Sequence, residues 1–368
     1  MSAMAAMTTP RISIIVRSIG RPTLDRALAS IATQGYPAVE VVGVAASGSA
    51  HPALPTTCGP YRILDVRSAA RLPRAEAADA GIRAATCDWM TFLDDDDELL
   101  PGHIAGLVAS AAASPALRAV SGRALATFRN GRTEVWGQRF ALSELYARNF
   151  VHLSTLLFHR SLLSAGIAFD RNLPLHEDWD FALQVAQHTR FADWATPTFC
   201  WHADAGTSGA GGGDNVDAGA FARYRDHVYA KWAPVRDPFL DRCAKLLREA
   251  AAAVATGRVD VATTLAGEVL AISQNDPHAL NLLSMLALRG GDNDAALAHQ
   301  TLAVEVRPHD PDLLFNLALV RLARGETANA RACLADALRL DPTHRRAAAK
   351  SRELGAPVLG ASGHINTD

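Results

Sequence analysis

Several things are scarce in this chain of 368 residues, and each shortage removes a class of function. The five cysteines, Cys58, Cys87, Cys200, Cys243 and Cys333, are odd in number and none stand in a CxxC spacing. That argues against a disulfide framework or a zinc ribbon, and for buried thiols in a reduced, cytoplasmic protein. Charge of one sign is not in excess: the formal net charge is −2, so no nucleic-acid partner is expected. No apolar run approaches the ~18 residues of a membrane span. The opening MSAMAAMTTP has no basic residues ahead of an apolar stretch, so no signal peptide is expected either.

What is present is a core-forming composition, 49% hydrophobic and 20% charged, over a length that suggests two domains. Residues 11–16 (RISIIV) read as a strand buried on both faces. Gly20 and Pro22 break the run. Leu24, Leu28 and Ile31 then form one helical stripe, and residues 39–44 (VEVVGV) read as a second strand. This βαβ unit implies a parallel sheet. After a Gly-, Ser- and Pro-rich loop, residues 61–66 give a third strand, 74–85 an Ala-rich helix and 89–93 a fourth strand.

That fourth strand runs into Asp94, Asp95, Asp96 and Asp97. One or two Asp here are explained by a turn and a helix N-cap. Four in a row repel one another, and they sit at the carboxyl end of a parallel strand, where ligands gather in such sheets. Further on, 119–128 and 133–136 flank Asn130-Gly131, a two-residue hairpin signal. LPLHEDWDFALQVAQ (173–187) reads as a helix with Glu177, Asp178 and Asp180 in its first turn, suited to the helix dipole or to a polar cleft. A strand-like segment then ends at His202, followed by a Gly run, Gly209 to Gly213, readable as a slack linker or a lid.

After Tyr229 strand signals cease. Gly257, Gly291 and Gly325 recur every 34 residues, as do Ala262, Ala296 and Ala330, with Pro308 and Pro342 at the repeat ends. That is the tetratricopeptide period. Two repeats are clear, 276–309 and 310–343, and a third, 243–275, is degenerate, with Gln274 in place of the Pro. Asn281 and Asn316 fall on first helices, facing a groove or solvent. The segment 346–368 reads as a flexible tail.

ISIIVRSIGRPTLDRALASIATQGYPAVEVV, RAEAADAGIRAATCDWMTFLDDDD and GIAFDRNLPLHEDWDFALQV, in that order, resemble the family-2 glycosyltransferases of the GT-A fold, here followed by tetratricopeptide repeats. The resemblance implies an α/β domain over 8–235, a mixed sheet flanked by helices, and all-α repeats over 236–345. It implies that Asp94 and Asp96 form a DxD motif, with Asp94 near the donor ribose and Asp96 on a Mg²⁺ or Mn²⁺ ion bridging the diphosphate. His202 is similar to a His that completes such a metal site, and Asp178 to the catalytic base. Ser18, Arg74, Asp79, Asp94 and Asp95 are the expected donor-binding positions. There are departures. The position after the second strand, acidic in the family, reads GVAAS; the usual Arg-Asn reads Ala78-Asp79; a common Arg after the second motif is Gln184.

The chemistry suits the residue types. Carboxylates are hard ligands for a divalent cation, which neutralises a leaving diphosphate. A third carboxylate can take the proton of an attacking hydroxyl. The expected function is therefore inverting, metal-dependent transfer from a UDP-, GDP- or dTDP-sugar to a glycan, lipid-linked or protein acceptor, with the repeats docking a partner protein. The competing expectation is an inactive GT-A-like binding protein whose repeats act as a scaffold, favoured by Ala45, Ala78 and Gln184. A nucleotidyltransferase would need a Gly-rich loop and a Lys after the first strand, and VRSIGRPT has neither.

Overall fold

The opening apolar run becomes a strand because both of its faces are covered. In the computed structural model, which describes residues 9–204 and 218–355, β1 (Ile12–Ser18) is buried at every position. The first unit comprises Met1–Gln138 and Arg148–Ala233. Its elements follow β1 in the order α1 (Leu24–Ala32), β2 (Val39–Ala45), β3 (Thr57–Cys58), β4 (Tyr61–Arg67), α2 (Arg74–Ala84), β5 (Trp89–Asp94), β6 (Glu98–Leu99), α3 (His103–Ala113), β7 (Ala119–Thr127) and β8 (Thr133–Trp136). The chain then gives α4 (Leu142–Leu145) to the second unit. It returns for β9 (Leu156–His159), α5 (Glu177–Ala186), β10 (Phe191–His202) and the start of α6 (Ala218–Ala255).

The sheet is mixed, in the order β3-β4-β2-β1-β5-β9-β7-β10-β6, with β8 paired to β7. β4, β2, β1 and β5 run parallel. Val16 is opposite Leu93, and Arg17 opposite Asp94, so the carboxyl ends of β1 and β5 lie side by side. From β9 onward antiparallel pairs enter. The sequence expectation of an α/β mixed sheet flanked by helices, followed by helical repeats, is what the chain adopts. α2 lies close on β1 because Gly81 carries no side chain: a Cβ there would stand 2.2 Å from Ile15 Cγ2. The hairpin between β7 and β8 is wider than Asn130-Gly131 predicts. Phe128 N–H donates to Arg132 O at 3.0 Å, and Gly131 takes φ +81°.

The second unit comprises Arg139–Ala147 and Pro234–Asp368. It is built from α4, the later part of α6, α7 (Val259–Ile272), α8 (Pro277–Arg289), α9 (Asn293–Val306), α10 (Pro311–Ala323), α11 (Thr327–Leu340) and α12 (Arg345–Glu353). The 34-residue period is repeated in the hydrogen bonds themselves. Arg258, Asp292 and Glu326 donate their N–H groups to the carbonyls of Ala253, Ala287 and Arg321. Gly257, Gly291 and Gly325 make the turns at φ +72°, +81° and +77°, and Ala262, Ala296 and Ala330 are wholly buried where helices meet. Asp276 and Asp310 cap α8 and α10, each ahead of a Pro at the first turn. Asn316 Nδ2 donates to Asn281 Oδ1 at 2.8 Å, so these two side chains bind each other.

Two boundaries differ from the sequence expectation. The span 346–368 does not begin as a tail: α12 continues the period, with His344 capping it by accepting from Ala347 N–H and with Ala347 buried. Residues 139–147, placed by sequence in the first domain, belong to the second unit. Glu144 binds Arg307 at 2.5 Å and Ser143 donates to Asp276 at 3.0 Å. The run Gly209 to Gly213 lies outside the described residues.

Candidate active site

Four elements of the first unit converge at the carboxyl end of β1. Arg17, the penultimate residue of β1, points at Asp94, the last residue of β5. Its Nε donates to Oδ1 at 2.7 Å and its Nη2 to Oδ2 at 2.9 Å. The same guanidinium reaches Glu177 Oε1, in the first turn of α5, at 3.3 Å. Arg74, first residue of α2, adds looser contacts of 3.7 Å to both Asp94 and Glu177. Burial works against the charge on Asp94, but Arg17 and then Arg74 outweigh it and hold the carboxyl down at about 2. Burial also opposes the Arg17 charge, and the two carboxylates more than restore it.

Asp178 follows Glu177 in the same turn. Asn149 Nδ2 donates to its Oδ2 at 3.1 Å, and the Trp179 N–H to its Oδ1 at 2.7 Å. Burial and then the neighbouring Glu177 charge push Asp178 up to about 7, against the pull of the Trp179 N–H, Arg74 and Arg17. This is the range in which a carboxylate serves as a general base at neutral pH. The turn is set by His176, a non-glycine residue at φ +64°, whose ring packs against Phe221 and Trp179. Such a backbone costs about 1 kcal/mol or more and persists because the packing over-determines it. Asp180 points elsewhere, to Lys231 Nζ at 2.9 Å and Trp232 Nε1 at 2.8 Å.

A cavity of about 450 Å³ opens beside this cluster. Its wall includes Arg17, Arg21, Arg71, Arg74 and Asp94, with Ser18 and Ala46. Four arginines against one carboxylate make it a place for an anion. Ser18, expected at the donor, lines it, but its hydroxyl is engaged: it donates to Asp95 at 2.7 Å, accepts from Gly20 N–H at 3.0 Å and meets His51 Nε2 at 2.9 Å.

The remaining expected residues are distributed differently. Asp95 is fully buried and holds the loop after β1, accepting from Ser18, from Ile19 N–H at 2.9 Å and from Arg21. It is turned inward, away from the cavity. Asp79 is five residues past Arg74, ~140° round the helix, and accepts from Phe169 N–H at 3.4 Å instead. Gln184 closes on the backbone of Ala168, donating at 2.8 Å and accepting at 3.1 Å.

The expected metal set is not brought together. Asp94 is chelated by Arg17. Asp96 leans on Arg21 at 3.6 Å. His202 sits between Glu98 at 2.8 Å and Thr127 at 3.1 Å, with its N–H on Asp97. Among the described residues no group of three or more His, Cys, Asp or Glu is arranged to hold a metal ion. Asp94, Asp96 and His202 as they stand do not fit a shared cation, since both oxygens of Asp94 already serve a guanidinium. Burial and then neighbouring carboxylates raise both Asp96 and Asp97, a surplus of negative charge beside the trio.

Three participants escape the sequence reading. Arg17 follows an apolar run that reads as complete at Val16. Asn149 carries no pattern at all. Burial pulls His152 down to about 4, so its imidazole is neutral beside Asp94, tilted against the Phe199 ring with centroids 4.6 Å apart. Only Arg17 left a signal, a charge at the end of a buried strand.

A family model described as glycosyl transferase family 2 matches residues 13–168, the stretch that carries β1, the Asp run and most of the sheet. Residues 13–168 are a family 2 glycosyl transferase domain. The mixed sheet of the family 2 domain is the GT-A arrangement, and the helical hairpins after it fit tetratricopeptide repeats. Among solved structures the chain is similar to a Thermobaculum terrenum O-GlcNAc transferase mutant, at 27% identity over 32% of this chain and 22% of that one, with a TM-score of 0.31. It is similar to the first TPR domain of human RPAP3, at 16% identity over 31% of this chain and 89% of that one, TM-score 0.30. It is also similar to S. aureus TarS 1–349 in complex with UDP-GlcNAc, at 12% identity over 97% of this chain and 96% of that one, TM-score 0.43. This chain thus spans about a fifth, 22%, of the length of the O-GlcNAc transferase. No curated protein matches. No helix among the described residues is long and apolar enough to cross a membrane.

Proposed function

We propose that the chain is an inverting glycosyltransferase moving a sugar from a nucleoside diphosphate sugar to an acceptor hydroxyl, with Asp178 as general base. The observation that carries this reading is that the arginine-lined cavity and the turn that holds Asp178, raised to about 7, are joined by Arg17, which lines the one and reaches Glu177 in the other. The acceptor oxygen attacks the anomeric carbon and gives its proton to Asp178. The bond from that carbon to the diphosphate breaks, and its electron pair leaves with the nucleoside diphosphate. One displacement inverts the anomeric centre, and no Ser or Cys nucleophile is required. Arg17 and Asn149 are positioning residues, one orienting Glu177 and Asp94, the other the Asp178 carboxyl.

The donor is a UDP-, GDP- or dTDP-hexose, and the acceptor a glycan, a lipid-linked sugar or a protein. The repeats dock the acceptor or a partner protein. The test is release of nucleoside diphosphate from each donor by wild type and by Asp178→Asn. The variant is expected to bind donor and release none. Transfer by the variant moves the base elsewhere. Failure of the wild type to bind any donor favours a binding module, a reading for which Ala45 and Ala46, at the end of β2 where the family carries acids, speak.

A further inference from the structure

The residues the family resemblance assigns to a cation are spent on other partners, while arginines line the cavity beside them. We propose that the leaving diphosphate is neutralised by Arg71 and Arg74 and by the open N-terminus of α2, in place of a divalent cation held by Asp94. This rests on the nucleotide-sugar reading above.

Three observations carry it. First, Asp94 has no oxygen to spare: Arg17 holds one at 2.7 Å and the other at 2.9 Å, and the pair is buried. A metal would have to displace a bidentate guanidinium and leave Arg17 with only its longer 3.3 Å contact to Glu177 in a buried site, which buried ion pairs resist. Second, the cavity holds arginines not fully spoken for. Arg71 is exposed on its wall and has no carboxylate partner among the described residues. Arg74 is 3.7 Å from its two carboxylates, outside hydrogen-bond distance. Planar guanidinium groups bind phosphate oxygens in pairs, with charge assistance. Third, α2, eleven residues long, begins at this cavity without a side-chain cap, its N-cap being Pro73. Pro73, Arg74 and Ala77 line the cavity, so the positive end of the helix opens onto the same space.

The chemistry balances without a metal. When the bond between the anomeric carbon and the β-phosphate oxygen breaks, that oxygen keeps the electron pair and gains negative charge. Guanidinium and amide N–H groups already aimed at it stabilise that charge and transfer no proton.

The test is calorimetry on the full chain with UDP, GDP and dTDP, each in excess EDTA and again in excess Mn²⁺, with uridine, guanosine and thymidine as controls lacking the diphosphate. At least one nucleoside diphosphate is expected to bind in EDTA within about threefold of its affinity in Mn²⁺. Arg71→Ala and Arg74→Ala should each weaken it about tenfold or more in EDTA while leaving the matching nucleoside nearly unchanged, and Arg71→Lys, which keeps the charge but not the paired donors, should recover only part of the loss. Binding in Mn²⁺ alone overturns this proposal and leaves the transferase reading standing; the surplus charge at Asp96 and Asp97 would then be the cation's seat. An Arg71→Ala chain that binds the diphosphate as tightly as wild type also overturns it. Binding of no nucleoside diphosphate in either condition overturns both readings.

Discussion

Replacing Asp178 with asparagine removes a charge that the fold tolerates poorly and that the reaction needs, so stability and activity should move in opposite directions. The sign follows from the two ends of the titration. In the unfolded chain Asp178 titrates near ~4; in the folded chain it is raised to about 7 by burial and by Glu177. Between those values the folded state holds a proton that the unfolded state has lost. The stability this group contributes is complete below pH ~4 and is lost as pH rises through 7. Taken whole, the gap corresponds to ~4 kcal/mol. The side chain keeps partial contact with solvent, and asparagine gives up the favourable charge at the start of α5, so ~1–2 kcal/mol is the expected gain for Asp178→Asn at pH 8.

Thermal melts of the two chains at pH 4.5 and pH 8 measure it. At pH 8 the variant should melt higher, by about 2–4 °C for each kcal/mol in a unit of this size. At pH 4.5 the gap should shrink to about a fifth of its pH 8 size, because the folded chain is then neutral at this position and the pH stands only just above the unfolded value. A variant less stable than wild type at pH 8, or equally displaced at both pH values, would refute the burial account of Asp178. Wild-type kcat/KM gives the matching kinetic readout. With a base near 7, the rate should fall about tenfold for each pH step below that value and level off above it. A flat profile from pH 5.5 to 8 contradicts the assignment.

Arg17→Met leaves Asp94 and Glu177 buried without their main partner and should destabilise the first unit by ~3–5 kcal/mol in urea unfolding. Gly81→Ala sets a methyl 2.2 Å from Ile15 Cγ2 and should cost ~1–3 kcal/mol, with donor affinity falling as α2 shifts; unchanged stability would mean the helix gives way freely. Trp232→Phe removes the 2.8 Å hydrogen bond to the fully buried Asp180 and should cost ~1–3 kcal/mol, a loss that disappears in the Asp180→Ala background, which has no acceptor, if that bond is the cause.

Much of the architecture is legible in the sequence because it is written locally. Strands buried on both faces read as unbroken apolar runs, and the repeats read as a period, since each turn needs a small residue in the same place. The limits of α12 and of the 139–147 segment are not local. They depend on contacts such as Glu144 with Arg307, which join positions far apart in the chain. The Asp run shows the same division. Its place at the end of β5 follows from the apolar residues before it, but which way each carboxylate faces does not. Asp95 turns inward because Ser18, Ile19 and Arg21, on another strand's loop, offer it donors. Nothing adjacent to Asp95 in sequence announces that.

The same accounting of charges explains why the site has two loose ends. Around Arg17 the protein sets two guanidiniums, Arg17 and Arg74, against two carboxylates, Asp94 and Glu177. That set is balanced in charge, with Arg17 and Glu177 buried and Arg74 held more loosely at 3.7 Å on the cavity side. Asp178, the next carboxylate in the same turn, is raised to about 7 by burial and then by the Glu177 charge. Arg71 is a cation on the cavity wall with no carboxylate partner among the described residues. Beside this set stand an acid that favours its proton and a cation with no carboxylate partner among the described residues. They are also the two groups that proton abstraction and a departing diphosphate call for. If the charges had been paired for stability alone, neither Asp178 nor Arg71 would stand where it does.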